Sequence, residues 1–322
     1  MIETISSAQN PKIKRLIALQ QKSSERRESG LFVVEGRREL EHCIESGFEI
    51  ETVFYAAPAF DGGSAPITSP GSLKAAESRG KGGKSLASSA DGLLPGKTVS
   101  TPGRVRGRGP LPEAVGGMER SGSFTGNCTS ARQFIVTPEV YEKIAYRGST
   151  EGVIAEVRAK EMRLEDLKLK ENPLIMVLES VEKPGNLGAI LRSADAAGAD
   201  AVIICDPLTD LFNPNLIRAS IGAIFTVPCV ACTSEEAIGF FKSNGIKILT
   251  AQLQDSSLYY DYSMTEGTAI VMGTESTGLT DIWRKAADAH IRIPMLGQLD
   301  SLNVSVSAAI LLYEAVRQRS SK

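Results

Sequence analysis

Three polar segments of the sequence carry the residue types that could do chemistry. Each follows an apolar run: residues 183–198, residues 273–280 and residues 296–309. Arginine, glutamate, amide and hydroxyl side chains can position a substrate and stabilise charge that develops on it. The polar side chains of these segments include Asn186, Arg192, Glu275, Asn303 and Ser305.

The first segment predicts a helix that carries Arg192 on its outer face. Asn186 is the predicted N-cap, and Gly198 is the predicted end of the helix. Arg192 lies roughly 140° from the apolar stripe, at about 100° per residue, so it points away from the core. From this segment alone, a solvated surface arginine is the simpler interpretation. The stripe consists of Leu187, Ile190, Leu191 and Ala194.

The other two segments are ambiguous when each is taken alone. In residues 273–280, two glycines flank Glu275. This pattern suits a close approach of the backbone to a ligand, but also an ordinary turn from strand to helix. Residues 296–309 bring Asn303 and Ser305 to the start of an apolar helix, where ordinary N-capping is the simpler interpretation.

Alternating apolar runs and helical patterns from residue 173 onward predict an α/β domain with a parallel sheet. The runs are rich in Val and Ile, which is typical of parallel strands covered on both faces. Ligands of such sheets bind beyond the carboxyl ends of the strands, where the polar segments lie. The last helix carries an apolar stripe formed by Val306, Ala309, Ile310, Tyr313 and Val316.

The N-terminal part predicts a smaller α/β domain that is interrupted by an insertion. Residues 60–130 hold 15 of the 30 glycines and 6 of the 15 prolines. Because such a segment buries too little apolar surface to offset its ordering entropy, we predict a disordered insertion, although a frameshifted stretch of gene would look the same. The predicted domains are residues 1–157 and 173–322, joined by a charged linker at residues 158–172.

Composition and charge exclude several classes of protein. The 322 residues are 42% hydrophobic and 23% charged, which is typical of a globular protein. No apolar run reaches the roughly 20 residues of a membrane helix, and we see no signal sequence. Five cysteines at irregular spacing form no disulfide framework, so we expect a reduced, cytoplasmic protein. A net charge of −2 excludes a polycation but not a local basic face.

Several familiar catalytic patterns are missing from the sequence. With two histidines in all, the chain offers little for a Ser-His-Asp triad. The C-x-x-C spacing of Cys229 and Cys232 lacks a second ligand pair, so cysteines on a buried strand are a better explanation than a metal site. A nucleotide-cofactor oxidoreductase is a further alternative, but the G-x-G-x-x-G fingerprint is absent.

Taken in order, the three segments resemble the motifs of the SpoU (TrmH) family of RNA ribose 2′-O-methyltransferases, in the SPOUT superfamily. The matching stretches are NLGAILRSA, VMGTESTGL and IPMLGQLDSLNVSVSAAILLYE. Their joint order and spacing are far more specific than any single motif. The N-terminal pieces resemble the L30e-like substrate-binding domain of many members, although residues 60–130 depart from that pattern. The resemblance implies a deep trefoil knot, S-adenosylmethionine (SAM) as cofactor, an RNA substrate and a homodimer formed through the C-terminal domain.

The resemblance also implies roles for individual residues. Arg192, the arginine of the first motif, would orient the ribose 2′-hydroxyl and help to deprotonate it. Four further residues would hold Arg192, the loops and the target nucleotide: Asn186, Glu275, Asn303 and Ser305. The residues implied to line the SAM site are Gly273, Ile293 and Leu302, with Thr250 and Ala251 at the end of a strand.

A basic stretch near the N-terminus predicts contacts with RNA phosphates. The predicted contacts are Arg26, Arg27, Arg37, Arg38 and Arg147. On charge alone, a solvated helix face is an equally good explanation. By analogy with members that carry the N-terminal extension, ribosomal RNA is favoured over transfer RNA as the substrate. The competing function is a non-catalytic RNA-binding or ribosome-assembly protein that retains the fold.

Overall fold

Two β-sheets organise the chain in a computed structural model, which describes residues 2–57, 131–146, 152–274 and 277–320. The described residues belong to one compact unit. The predicted insertion at residues 60–130 lies outside the described residues, as do two predicted site residues, Glu275 and Arg147.

The N-terminal elements form a five-stranded mixed sheet. They are β1 (Glu3–Ile5), α1 (Pro11–Gln21), α2 (Ser23–Ser29), β2 (Leu31–Glu35), α3 (Arg37–Glu45), β3 (Ile50–Ala56), β4 (Arg132–Val136), α4 (Pro138–Ile144) and β5 (Val153–Arg158). The strand order is β1-β4-β3-β5-β2, and β5 runs antiparallel to both of its neighbours. Asn10 caps α1 by accepting a hydrogen bond from the Lys12 amide at 2.9 Å. This helix buries Ile13, Leu16 and Leu19 in the small core.

The C-terminal elements form a seven-stranded sheet in which every paired strand is parallel, as predicted. Its strands are β6 (Leu174–Glu179), β7 (Ala201–Cys205), β8 (Cys229–Cys232), β9 (Lys247–Ala251), β10 (Ser257–Leu258), β11 (Thr268–Met272) and β12 (Ala289–Arg292). The helices are α5 (Pro184–Ala197), α6 (Pro214–Ser220), α7 (Ala223–Thr226), α8 (Ser234–Ser243), α9 (Asp281–Ala286) and α10 (Val304–Ser320). The strand order is β10-β12-β9-β11-β6-β7-β8. Within the described part of the chain, no helix is long and apolar enough to cross a membrane.

The segment predicted as a linker packs against the larger sheet. A 3₁₀ turn at Leu164–Asp166 buries Leu164 in the C-terminal core. Met162, Leu167 and Leu169 pack against the same core, so the apolar residues of this charged segment share one environment. The domain boundaries themselves stay a prediction.

Helix α10 has two apolar faces, and the predicted stripe is the outer one. Val304, Ala308, Leu311, Leu312 and Ala315 are buried against the rest of the chain. Of the predicted stripe, Val306 is 47% and Tyr313 51% exposed. Periodicity finds this stripe but does not show what covers it, and the structure leaves Val306 and Tyr313 exposed.

A buried ion pair and an aromatic cluster join the two sheets. Phe32 of β2 stacks on Phe212, with ring centroids 4.4 Å apart, and also lies near Phe225 of α7. Arg26 is only 6% exposed, and its Nε donates to Asp210 Oδ2 at 2.6 Å. The prediction that Arg26 faces RNA is therefore wrong, because its charge is neutralised inside the protein by a carboxylate from the other half of the chain.

Candidate active site

Helix α5 places Arg192 on the protein surface. The predicted stripe of Leu187, Ile190, Leu191 and Ala194 is buried, and Arg192 is exposed. Gly198, with φ = 65°, forms the C-cap as predicted. Arg192 makes no ion pair with another described residue, which leaves its guanidinium available to a substrate.

The start of α5 differs from the prediction. The helix begins at Pro184, and Lys183 is the N-cap, so Asn186 lies within the first turn rather than at the cap. Proline favours the first helical position because its fixed φ is already helical and its missing N–H has no partner there. Asn186 therefore does not cap α5, and its side chain is hydrogen-bonded to Asn303 instead.

Asn186 and Asn303 join the first and third polar segments. Asn303 Nδ2 donates to Asn186 Oδ1 at 3.1 Å. The Oδ1 atom of Asn303 accepts from the amide of Ser305 at 3.0 Å and from its hydroxyl at 2.6 Å. Asn303 thus caps α10, as the simpler interpretation predicted, while its amide nitrogen links α10 to α5.

Replacement of Asn186 by alanine separates this link from helix stability. Alanine suits the first turn of α5, and the Asn303–Ser305 cap stays intact, so we expect the free energy of unfolding to change by less than about 1 kcal/mol. Loss of the link lets α10 shift against α5, and we expect the methyl transfer that the family resemblance implies to fall about 10- to 100-fold. Asn303→Ala, which also removes the cap, should cost a further ~1 kcal/mol of stability. Unchanged transfer by Asn186→Ala would exclude this link from the site.

The second polar segment forms a tight loop after β11. A side chain at Gly273 would place its Cβ 2.3 Å from the backbone of Gly278, so only glycine fits there. Thr274 Oγ1 lies 2.7 Å from Thr277 Oγ1 and accepts from the Thr277 amide at 3.0 Å. The Gly278 amide donates to the Thr274 carbonyl at 3.1 Å, which closes the loop. Glu275 lies within this loop but outside the described residues.

The far end of this loop is held by Glu179, a residue that sequence reasoning missed. Glu179 is 3% exposed, and its carboxylate accepts from the Thr280 amide at 2.9 Å and the Thr280 hydroxyl at 2.6 Å. Glu179 ends β6, so it ties the loop after β11 to the neighbouring strand. The signal that could have revealed it is a charged residue at the end of the apolar run LIMVLE.

Three strand ends lie side by side at the carboxyl edge of the large sheet. Strand β9 pairs with both β11 and β12, so Ala251, Gly273 and Ile293, which the resemblance assigns to one site, lie at neighbouring strand ends. Ile293 and Gly273 are both half-buried, and Leu302 is 39% exposed. The edge therefore combines backbone groups with partly accessible apolar surface.

Thr250 does not present its side chain at this edge. It is fully buried, and its Oγ1 lies 2.6 Å from His290 Nδ1 on the adjacent strand. Because that hydroxyl is used within the sheet, the predicted ligand contact of Thr250 is left to its backbone groups. Gln252, the residue after β9, was missed: its Oε1 is buried and has no hydrogen-bond partner among the described residues.

The C-x-x-C pair forms β8, as the strand interpretation predicted. Desolvation raises the pKa of the Cys229 thiol to about 12, so this thiol stays protonated near neutral pH. Cys232 faces Cys205 of β7 in register, and both are free cysteines. A protonated thiol is a poor metal ligand and nucleophile, which favours a structural role.

Comparisons with known proteins agree with the sequence motifs. The SpoU rRNA methylase family matches residues 173–313, and the MRM3-like substrate binding domain matches residues 10–76. A 23S rRNA (guanosine-2′-O-)-methyltransferase, RlmB of Vibrio vulnificus, is 37% identical over 190 residues, 57% of this chain and 77% of that protein. The chain belongs to the SpoU rRNA methylase family. It is therefore a methyltransferase, and the predicted family is confirmed.

Solved structures of methyltransferases are similar to this SpoU-family protein over nearly its whole length. A crystal structure of an RNA 2′-O ribose methyltransferase is 31% identical, with a TM-score of 0.68, covering 98% of this chain and 99% of that one. An AdoMet-bound rRNA methyltransferase from Sinorhizobium meliloti is 23% identical, with a TM-score of 0.73 and 98% coverage of both chains, and shows the shared fold. The predicted SPOUT-type fold is confirmed, and the trefoil knot stays a prediction.

Proposed function

We propose that this SpoU-family methyltransferase transfers the methyl group of SAM to a ribose 2′-hydroxyl of ribosomal RNA. The observation that carries the proposal is the convergence of the three polar segments on one edge of the sheet. Asn186 contacts Asn303 across 117 positions of sequence, and the Gly273 loop is anchored to β6, the strand that leads into α5. Ligands bind at this edge of parallel sheets.

The strand ends suit SAM. Ala251, Gly273, Ile293 and Leu302 would line the site, with backbone groups and apolar side chains for the adenosine and the thioether portions. Gln252 Oε1 is buried and has no hydrogen-bond partner among the described residues. A small movement of the loop after β9 would let it accept a hydrogen bond from an amino or hydroxyl group of SAM. When bound, SAM supplies an electrophilic methyl group, so the protein provides position and electrostatics.

Arg192 acts on the ribose hydroxyl. A 2′-hydroxyl is a weak nucleophile, and its oxygen gains negative charge as its proton leaves. The guanidinium stays cationic in proteins, so Arg192 orients this oxygen and stabilises its developing charge, while the proton passes to the adjacent RNA phosphate. Asn186, Asn303 and Ser305 hold the first and third segments in place. Glu275 is assigned to the same task on the second segment.

In this proposal the N-terminal domain, residues 1–157, binds RNA. The methyltransferase domain comprises residues 173–322. Arg27, Arg37 and Arg38 are exposed and suit contacts with phosphates, and Arg37 also forms an exposed ion pair with Glu41 at 2.9 Å. Arg147, which lies outside the described residues, stays a predicted phosphate contact. The described cysteines are free, in keeping with a reduced, cytoplasmic setting.

The outer face of α10 suits a homodimer through the C-terminal domain. Leu296 is 96% and Leu299 77% exposed in the loop before α10, and Val306 and Tyr313 continue this apolar surface along the helix. Apolar residues concentrated on one surface typically mark an interface. A second copy of the chain would bury them and bring the two sites close to each other.

Charge placed on this face should produce monomers. We expect the wild-type protein to sediment as a dimer at micromolar concentration, and Val306→Glu with Tyr313→Glu to sediment as a monomer, because two buried charges oppose association. Leu208→Glu, at a residue that is 63% exposed elsewhere, should leave the dimer intact. A wild-type monomer in sedimentation velocity would contradict the dimer.

Methyl transfer distinguishes the enzyme from a non-catalytic RNA-binding protein. Purified protein is incubated with labelled SAM and, in separate reactions, with unmodified 23S rRNA transcript, 16S rRNA transcript or a tRNA pool. We expect label to enter ribosomal RNA. Binding of 23S rRNA without transfer to any of these RNAs would favour the non-catalytic alternative.

A further inference from the structure

An exposed tyrosine and an arginine meet where the two sheets adjoin. Tyr146, just after α4, is 54% exposed, and Arg218 of α6 lies over its ring, with Cζ 3.7 Å from the ring centroid. The two side chains come from opposite halves of the chain. This contact combines an aromatic face with a planar cation on the protein surface.

Polar contacts hold both members of the pair in place. The Tyr146 amide donates to the two carboxylate oxygens of Glu35, at 3.0 and 3.1 Å. The Arg218 guanidinium donates to Asn215 Oδ1 at 2.6 Å. Arg218 covers one face of the ring, and Tyr146 as a whole is 54% exposed. The pair is therefore a preorganised surface with a partly exposed aromatic residue.

The pair lies between the basic surface and the helix that carries Arg192. Glu35, which holds Tyr146, is followed two residues later by the exposed Arg37. On the other side, Ala219, the neighbour of Arg218, packs so closely on Gly188 of α5 that a Cβ there would lie 2.5 Å from Ala219 Cβ. An RNA strand that follows the arginines toward α5 would thus pass Tyr146.

We propose that Tyr146 and Arg218 form a stacking platform for an unpaired nucleobase of the RNA substrate, an inference that rests on the proposed function. Proteins read RNA loops by stacking unstacked bases on aromatic rings and arginine planes. Arg218, together with the exposed Arg37 and Arg38 that follow Glu35 in the chain, favours a polyanion over a protein segment as the occupant. The platform binds a base beside the target nucleotide and so contributes affinity rather than chemistry.

Filter binding of labelled, unmodified 23S rRNA transcript tests the platform directly. Tyr146→Leu should raise the Kd by about 5- to 30-fold, while Tyr146→Phe and Tyr146→Trp stay within about two-fold of wild type. Because stacking releases few counterions, Tyr146→Leu should leave the salt dependence of the Kd unchanged. The double variant Arg37→Gln, Arg38→Gln should instead reduce the slope of log Kd against log salt concentration. Tyr260→Leu, at an exposed tyrosine beyond β10, is the matched control.

Each outcome bears on the platform separately from the catalytic proposal. Wild-type affinity in Tyr146→Leu, or equal losses in Tyr146→Leu and Tyr146→Phe, would overturn the platform. If thermal melting shows that Tyr146→Leu is unfolded, Arg218→Gln provides the second variant. We expect it to weaken RNA binding by about 3- to 10-fold. Unchanged RNA affinity in Arg218→Gln would then overturn the platform. Absence of methyl transfer by the wild-type protein would count against the proposed function alone, since RNA binding is measured without turnover.

Discussion

Arg192→Ala should lower the rate of methyl transfer by about 10³-fold while the protein stays folded. Removal of one group that stabilises developing charge on oxygen typically costs 10²- to 10³-fold in rate, about 3–4 kcal/mol. Arg192 is exposed and outside the buried stripe of α5, so its removal leaves no cavity. The loss should therefore appear in kcat, with the dissociation constant of SAM within about two-fold of wild type.

Two variants separate the role of Arg192 from that of a surface charge. Arg192→Lys keeps the charge but loses the planar fork of donors, and we expect it to recover only a small part of the activity. Lys242→Ala removes an exposed cation from α8 in the same domain and should behave as wild type. Single-turnover transfer at saturating SAM and RNA is the measurement. Near-normal turnover by Arg192→Ala would remove Arg192 from the mechanism.

Gly273→Ala should affect both the cofactor site and the fold. The added Cβ would lie 2.3 Å from the Gly278 carbonyl carbon and oxygen and 2.6 Å from the Leu279 amide nitrogen, and backbone atoms cannot rotate away as a side chain does. The loop must open instead. We expect stability to fall by about 1–3 kcal/mol. In the proposed function this loop borders the SAM site, so we also expect SAM to bind at least 10-fold more weakly and transfer to fall about 100-fold.

Gly239→Ala is the control for this substitution. Gly239 lies within α8 with open space around its Cβ position, and alanine should stabilise that helix by about 0.5–1 kcal/mol. Isothermal titration with SAM and chemical denaturation measure the two effects separately. Wild-type SAM affinity in a folded Gly273→Ala protein would show that this loop does not shape the cofactor site.

The local features of the site follow from the sequence because short-range patterns determine them. Four buried apolar residues at helical spacing define the inner side of α5, which is why the exposure of Arg192 could be predicted. The parallel sheet follows equally from its Val- and Ile-rich runs. The start of α5 was mispredicted because Asn186 resembles a cap, while Pro184 already favours the first helical position.

The remaining features depend on partners that are distant in sequence. Arg26 belongs to a basic stretch, but Asp210, which neutralises it, lies 184 positions away. The anchor between Glu179 and Thr280 spans 101 positions, and the charged residue that ends the run LIMVLE gives no indication of its partner. Helix α10 shows the same limit, since periodicity finds an apolar stripe on either face. Which face is buried depends on the surrounding elements.

The most direct test of the account is the position and chemistry of the transferred methyl group. Unmodified 23S rRNA transcript is methylated with labelled SAM by wild-type protein or Arg192→Ala, and then partially hydrolysed in alkali. A 2′-O-methyl group removes the hydroxyl that attacks the adjacent phosphate, so the modified position resists cleavage. We predict one alkali-resistant position that appears with the wild-type protein and is lost with Arg192→Ala. Label that enters the RNA without creating an alkali-resistant position would contradict ribose methylation.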